Sequence, residues 1–330
     1  ETLELKRLVS FIINNVAKVD EIELPIEIND YILRVYAYTN KLLNKEMDNF
    51  TYWDTVATIR EEYREEVRYS LKGKYVTVDT SQVKEIFEKF QERIDEGINR
   101  ALDFGDGIIP TYFTFNADKF EAVVDKDGNP VPGYNGLAKV MVKSFEPVPL
   151  PYFLEGPAKM LASLKDSKEA EKLYKNVKES ELYDRKLGMY KTSVPIDHIS
   201  MENGRIRAFT AGWLERESIF LHMEYKYLLS TLEAGLYEEF YKDLPTAMVA
   251  FRDPEEYGRS ILENSSFIAS SVNPNEAIHG RGYVARLSGS TSEAISIWMM
   301  MFMGDKLFSY ENNELVLHLE PKLPGWLFDE

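Results

Sequence analysis

The sequence predicts an all-α dominated fold, an α/α toroid-like body of paired antiparallel helices with a small β insertion and a short C-terminal β segment. Three observations support this. Apolar residues recur at helical spacing through most of the 330 residues. The strands of a dinucleotide-binding sheet are missing, and the isolated glycines form no nucleotide-loop signature. One of the four tryptophans and one of the four histidines fall with glycine turns in 204–222, and a second glycine-rich polar run opens at His279, as a cleft at one end of a helical scaffold would gather them.

In chain order, residues 5–16 and 29–44 each present an apolar helical face, and Asp30, Lys41 and Asn44 give the second its solvated side. Residues 51–69 form a charged helix. Residues 81–102 form another, opened by Ser81-Gln-Val-Lys and striped by Phe87, Phe90, Ile94 and Ile98. Gly105, Gly107, Pro110, Gly128, Pro130, Pro132 and Gly133 punctuate residues 104–151, read as an insertion whose segment 122–131 is strand, turn and strand. Helices resume over 155–164, 167–179, 218–236, 237–244 and 292–303, with an irregular stretch at 186–206. Residues 315–319 alternate as a strand before Pro321 and Pro324. The division expected is a toroid domain over 1–310 and the start of a β extension over 311–330.

Composition narrows the function. With 44% apolar and 13% aromatic residues the chain can bury a large core. A formal net charge of −16 opposes a nucleic-acid partner, which demands a positive footprint. There are no cysteines, hence no disulfide framework and no thiolate catalysis, and a cytoplasmic location is expected. No apolar run reaches the length of a membrane span, and the first residues do not resemble a signal peptide. The four histidines, His198, His222, His279 and His318, lack the spacing of a zinc site, so no metal and no cofactor is expected.

Two stretches concentrate cleft-type residues. Gly204-Arg-Ile-Arg-Ala-Phe-Thr-Ala-Gly-Trp-Leu-Glu-Arg-Glu-Ser-Ile-Phe-Leu-His222 sets turns, Trp213, Glu215 and Glu217 before a helix. His279-Gly-Arg-Gly-Tyr-Val-Ala-Arg-Leu-Ser-Gly-Ser-Thr291 repeats the pattern. Trp213 and Tyr283 can stack on sugar faces or pack in a core. Asp103, Asp106, Glu155, Glu215, Glu217 and Glu263, before Asn264, are candidate acids. Each has a structural alternative: a turn at Asp106-Gly107, a helix start at Glu155, and loop ordering through Arg205 or Arg207 for Glu215 or Glu217. Arg281 and Arg286 flank the second turn and can support an anion or pair with carboxylates.

In order and spacing, these stretches resemble the C-terminal part of the catalytic domain of the cellobiose/chitobiose phosphorylase family. The family's Gly-Arg, Pro-Gly, Glu-Asn-Gly-Gly-Ile-Phe, His progression is similar to Gly204-Arg, Gly212 and Glu215-Arg-Glu-Ser-Ile-Phe-Leu-His222. Its Thr-Gly-Thr helix start is similar to Ser288-Gly-Ser, and its Leu-Gly and Pro-Trp ending to Met303-Gly and residues 315–326.

The resemblance implies an (α/α)6 barrel that cleaves β-linked glucosaccharides with inorganic phosphate as co-substrate and inversion of configuration. It implies a phosphate site of His222, Ser288 and Gly289, and a sugar contact at Glu263. The family's Asp-Trp-Asn-Asp acid segment is absent. The acid therefore lies on a missing N-terminal portion or a partner chain, or the chemistry has changed. A chain that opens on Glu1 suits a piece of something longer, and homo-oligomerisation stays open. A glycoside hydrolase on the same fold and a catalytically inactive sugar-binding or assembly module are the alternatives.

Overall fold

A computed structural model describes residues 1–284 and 288–328. The fold is helix-dominated with scattered small β-sheets, and it divides into two compact units. One comprises Glu1–Arg100 and Phe113–Val148, the other Ala101–Tyr112 and Pro149–Glu330.

The first unit contains α1 (Thr2–Val16), β1 (Glu21–Pro25), α2 (Ile26–Leu43), α3 (Asn49–Glu66), β2 (Tyr75–Asp79), most of α4 (Thr80–Leu102), and the hairpin strands β3 (Phe113–Ala122) and β4 (Val140–Pro149). Asp48 caps α3 by accepting from the Thr51 N–H at 2.9 Å, satisfying a donor the first turn leaves open. The stripe expected on α4 is carried by buried Val83, Ile86, Ile94 and Ile98. Phe87 and Phe90 are half-buried and meet edge to face, ring centroids 5.5 Å apart. α1 is tied to α4 by Lys6 and Asp95 at 2.7 Å, and α2 to α3 by the stacked rings of Tyr31 and Tyr63.

The strand–turn–strand expected at 122–131 is present as a short pairing beyond a longer hairpin, with Val124 bridged to Pro130 and the Val131 N–H donating to Val123 O at 2.8 Å. The long strands are β3 and β4, and 122–131 forms the tip, where the Asp125 carboxylate accepts from the N–H groups of Asp127 and Asn129, both at 2.9 Å. Asp125 and Gly128 favour a turn over continued pairing.

The second unit holds α5 (Glu155–Leu161), α6 (Ser167–Glu179), β5 (Tyr183–Asp184), β6 (Met189–Tyr190), β7 (Ile219–Phe220), α7 (Leu221–Glu233), α8 (Tyr237–Ala247), α9 (Pro254–Tyr257), β8 (Phe267–Ile268), β9 (Gly282–Tyr283) and α10 (Ser288–Met303). The strands β10 (Phe308–Glu311) and β11 (Glu314–Leu317) follow as a hairpin. The central helix is α7, with α5, α8 and α10 all packed against it. Its Leu221, Tyr225, Tyr227, Leu228 and Leu232 are almost wholly buried, and they join Leu161, Phe240 and Ile297 in one core. Each such side chain contributes about 1.5–3 kcal/mol through removal from water.

Two helix starts differ from the sequence reading. α7 begins at Leu221, because Ile219 and Phe220 are spent on a ladder with Ile268 and Phe267. α10 begins at Ser288, a full turn before residue 292.

The core is also polar. Asp243 on α8 accepts from Tyr174 of α6 at 2.9 Å and Tyr190 of β6 at 2.5 Å, and pairs with Lys178. Glu224 on α7 is fully buried. It accepts the Tyr190 N–H at 2.8 Å, and its Oε2 has no hydrogen-bond partner. Burial pushes the Glu224 carboxyl well above the usual range, against the weaker lowering effect of that hydrogen bond and of Arg252.

A carboxyl whose pKa is raised by folding favours the folded state fully below its unfolded value. That contribution is lost as pH rises through the folded value. Wild-type stability relative to Glu224→Gln is therefore expected to fall with rising pH above about 4.3, by at most about 1.4 kcal/mol per pH unit. Urea denaturation of both proteins at a series of pH values measures it, and parallel profiles would contradict the assignment.

Candidate functional site

A three-stranded sheet of two-residue strands sets the geometry. The middle strand β8 pairs antiparallel with β7 and with β9, so β7 and β9 run parallel to each other. Phe220 and Tyr283 both stand opposite Phe267, and the chain leaves each toward a helix, α7 from β7 and α10 from β9. α7 follows β7 directly, and α10, which begins five positions after β9, has Gly289 of its first turn against His222 of α7, so the two helix starts lie together. The positive ends of two helix dipoles gather there, an arrangement that favours an anion.

There His222, in the first turn of α7, lies against Gly289, in the first turn of α10. A Cβ on Gly289 would stand 2.7 Å from His222 Nδ1 and 2.8 Å from Cγ, closer than real contacts allow. On its other edge the imidazole Nε2 is 3.4 Å from Glu293 Oε1, and Lys226 Nζ is 3.9 Å from the same oxygen. Ser266 links the start of α7 to β9: its carbonyl accepts the Leu221 N–H at 3.1 Å, and its own N–H donates to Tyr283 O at 3.0 Å. The Ser266 hydroxyl is buried at 6% exposure, and it has no hydrogen-bond partner.

Of the residues named from sequence for phosphate, the structure brings His222 and Gly289 together. The side chain of Ser288 lies outside what is described, as does Arg286. Arg281 is not with them. It precedes β9, at the end of the sheet away from α10, and its guanidinium lies against Gly258.

Trp213 and Tyr283 do meet. Their rings are 4.5 Å apart, and both pack on Phe267, Trp213 edge-on at 4.9 Å and Tyr283 stacked at 5.6 Å. Trp213 and Tyr283 remain half-buried, so the cluster keeps an accessible side.

The candidate acids are dispersed. Asp103 and Asp106 are exposed, and Asp106 uses its backbone N–H to reach Tyr152 Oη at 3.0 Å. Glu155 accepts from Tyr112 Oη at 2.8 Å in the first turn of α5. Glu215 pairs with Arg205 at 3.0 Å. Glu217 is buried, 3.7 Å from both Lys191 and Arg216, and its backbone is left-handed at φ 53°. Burial raises the Glu217 pKa, with Lys191 and then Arg216 opposing. Glu263 is exposed and pairs with Arg259 at 3.1 Å, while neighbouring Asn264 is occupied by Tyr225 Oη at 3.0 Å.

Sequence reasoning passed over Lys226, Glu293 and Ser266. The signal for the first two was present. Lys226 follows His222 by four positions and Glu293 follows Gly289 by four, which places each pair on one helix face. Ser266 gives no such signal.

Among the described residues no cluster of three or more His, Cys, Asp or Glu could hold a metal, and no helix is long and apolar enough to cross a membrane. A hollow of about 520 Å³ lined by Phe104, Tyr152, Pro195 and His198, among others, contains none of the predicted site residues. No family model matches the chain, and no curated protein matches it.

Replacing glycine by alanine inside a helix ordinarily gains roughly 0.5–1 kcal/mol. At Gly289 the collision with His222 is expected to reverse the sign, with a net loss of about 1–2 kcal/mol in urea denaturation of Gly289→Ala. A net gain would mean that the imidazole is free to move away.

Proposed function

We propose that the chain belongs to a carbohydrate-active protein, a glycoside phosphorylase-like catalyst of β-linked glucosaccharide cleavage by inorganic phosphate. One observation carries the reading: His222 and Gly289 meet where two helices begin side by side. A net charge of −16 makes this local gathering of donors the more telling, since the chain as a whole repels anions.

Two further features support it. The Trp213–Tyr283–Phe267 cluster packs on the same small sheet and offers aromatic surface for a sugar ring. Glu217 stands where the family progression carries a glycine, and its φ of 53° is a conformation that glycine adopts without strain. In this reading α5, α7, α8 and α10 are part of an (α/α)6 barrel.

In the proposed reaction a phosphate oxygen held at His222 and the helix starts attacks the anomeric carbon. The glycosidic C–O bond breaks on the opposite face, and a carboxylic acid delivers its proton to the leaving oxygen. The products are a glycosyl phosphate of inverted configuration and a shortened saccharide. His222 supplies a donor to the phosphate, and the backbone donors spread its negative charge as the bond forms. None of Asp103, Asp106, Glu155, Glu215 and Glu217 is assigned as the acid, because none is seen in contact with His222. The dispersal of these carboxylates also favours a second reading, a sugar-binding module without turnover.

Oligosaccharide cleavage with and without phosphate, followed by chromatography of the products, tests the proposal. Turnover is expected to require phosphate, and His222→Ala is expected to reduce it by about 10² or more. Equal turnover without phosphate would make the protein a hydrolase. Saccharide binding without turnover would support the binding module.

A further inference from the structure

Glu293 is a carboxylate in a place that attracts anions. It lies one turn beyond Gly289 on α10, with its side chain 19% exposed, and its Oε1 reaches both His222 Nε2 at 3.4 Å and Lys226 Nζ at 3.9 Å. If the cluster existed only to concentrate positive charge, a carboxylate here would defeat it. An ionised carboxylate only accepts hydrogen bonds. A fully deprotonated oxyanion meets it with repulsion, whereas an oxyanion that keeps a proton can donate that proton to it in a short, charge-assisted bond. At pH 7 inorganic phosphate carries at least one proton and sulfate carries none.

The remaining groups suit the other oxygens of such an anion. His222 and Lys226 offer donors, the start of α10 offers backbone N–H groups, and Ser266, whose carbonyl accepts the first N–H of α7, carries a buried hydroxyl without a partner.

We propose that Glu293 is the specificity residue of this site, admitting a protonated oxyanion, inorganic hydrogen phosphate, and rejecting sulfate. The inference rests on the phosphate-site reading above. Glu293 makes no bond to the reacting sugar; it acts on which anion enters. A purely structural Glu293, one that only neutralises His222 and Lys226, would confer no preference between two tetrahedral anions of similar size.

Calorimetric titration of the full chain at pH 7 with phosphate, arsenate and sulfate separates these cases. Phosphate and arsenate, which both carry a proton, are expected to bind at least about tenfold more tightly than sulfate, the scale of one unmet charged acceptor. In Glu293→Gln the amide can donate as well as accept, and the preference is expected to shrink to within about threefold. Glu293→Ala, which removes the acceptor and suits a helix interior, should behave alike and serves if the glutamine variant does not fold. Sulfate binding to the wild type as tightly as phosphate, or a preference unchanged in both variants, would overturn the role of Glu293 while leaving an anion site standing. Failure of the folded wild type to bind any of the three anions at millimolar concentration would overturn the site itself.

Discussion

The contact between the His222 ring and Gly289 is the constraint on which the site depends. Any Cβ at position 289 would collide with the imidazole, so α10 approaches α7 more closely there than a side chain would permit. That approach is framed by a small sheet. β7 and β9 are parallel through their shared partner β8; β7 runs directly into α7, and α10 begins five positions after β9. The two helix starts lie together, and the positive ends of their dipoles become a shared resource.

Holding α7 in place is costly, and the polar interior is part of how it is held. Leu221, Leu228 and Leu232 anchor it by burial, while the Glu224 carboxylate takes up the Tyr190 N–H and Asp243 gathers Tyr174, Tyr190 and Lys178 behind it. A buried carboxyl such as Glu224 stabilises little in itself. Its value is positional: removing its hydrogen bond leaves the buried Tyr190 N–H without that acceptor.

Much of the helical framework was legible in sequence because periodicity is a local signal. α6 matches its predicted limits, and the buried positions of α4 include the expected Ile94 and Ile98. The pairing of His222 with Gly289 was legible only through motif order, since nothing in spacing alone says that two distant helix starts will touch. The sheet that joins them was not legible. Strands of two residues leave no period-2 pattern, so Ile219 and Phe220 read as the first turn of α7. The surroundings of Arg281 were not legible for the same reason: its side of the glycine-rich turn depends on the direction of β9. Glu263 shows the limit of reading a carboxylate without its neighbours, because Arg259, four residues earlier, pairs with it.

The most direct test of the account is a crystal structure of the chain grown with millimolar phosphate. The account predicts tetrahedral density at the paired starts of α7 and α10, with one oxygen about 2.7–3.2 Å from a ring nitrogen of His222 and others on backbone N–H groups of the first turn of α10. Water alone at that end of the sheet, with phosphate bound elsewhere or not at all, would contradict it.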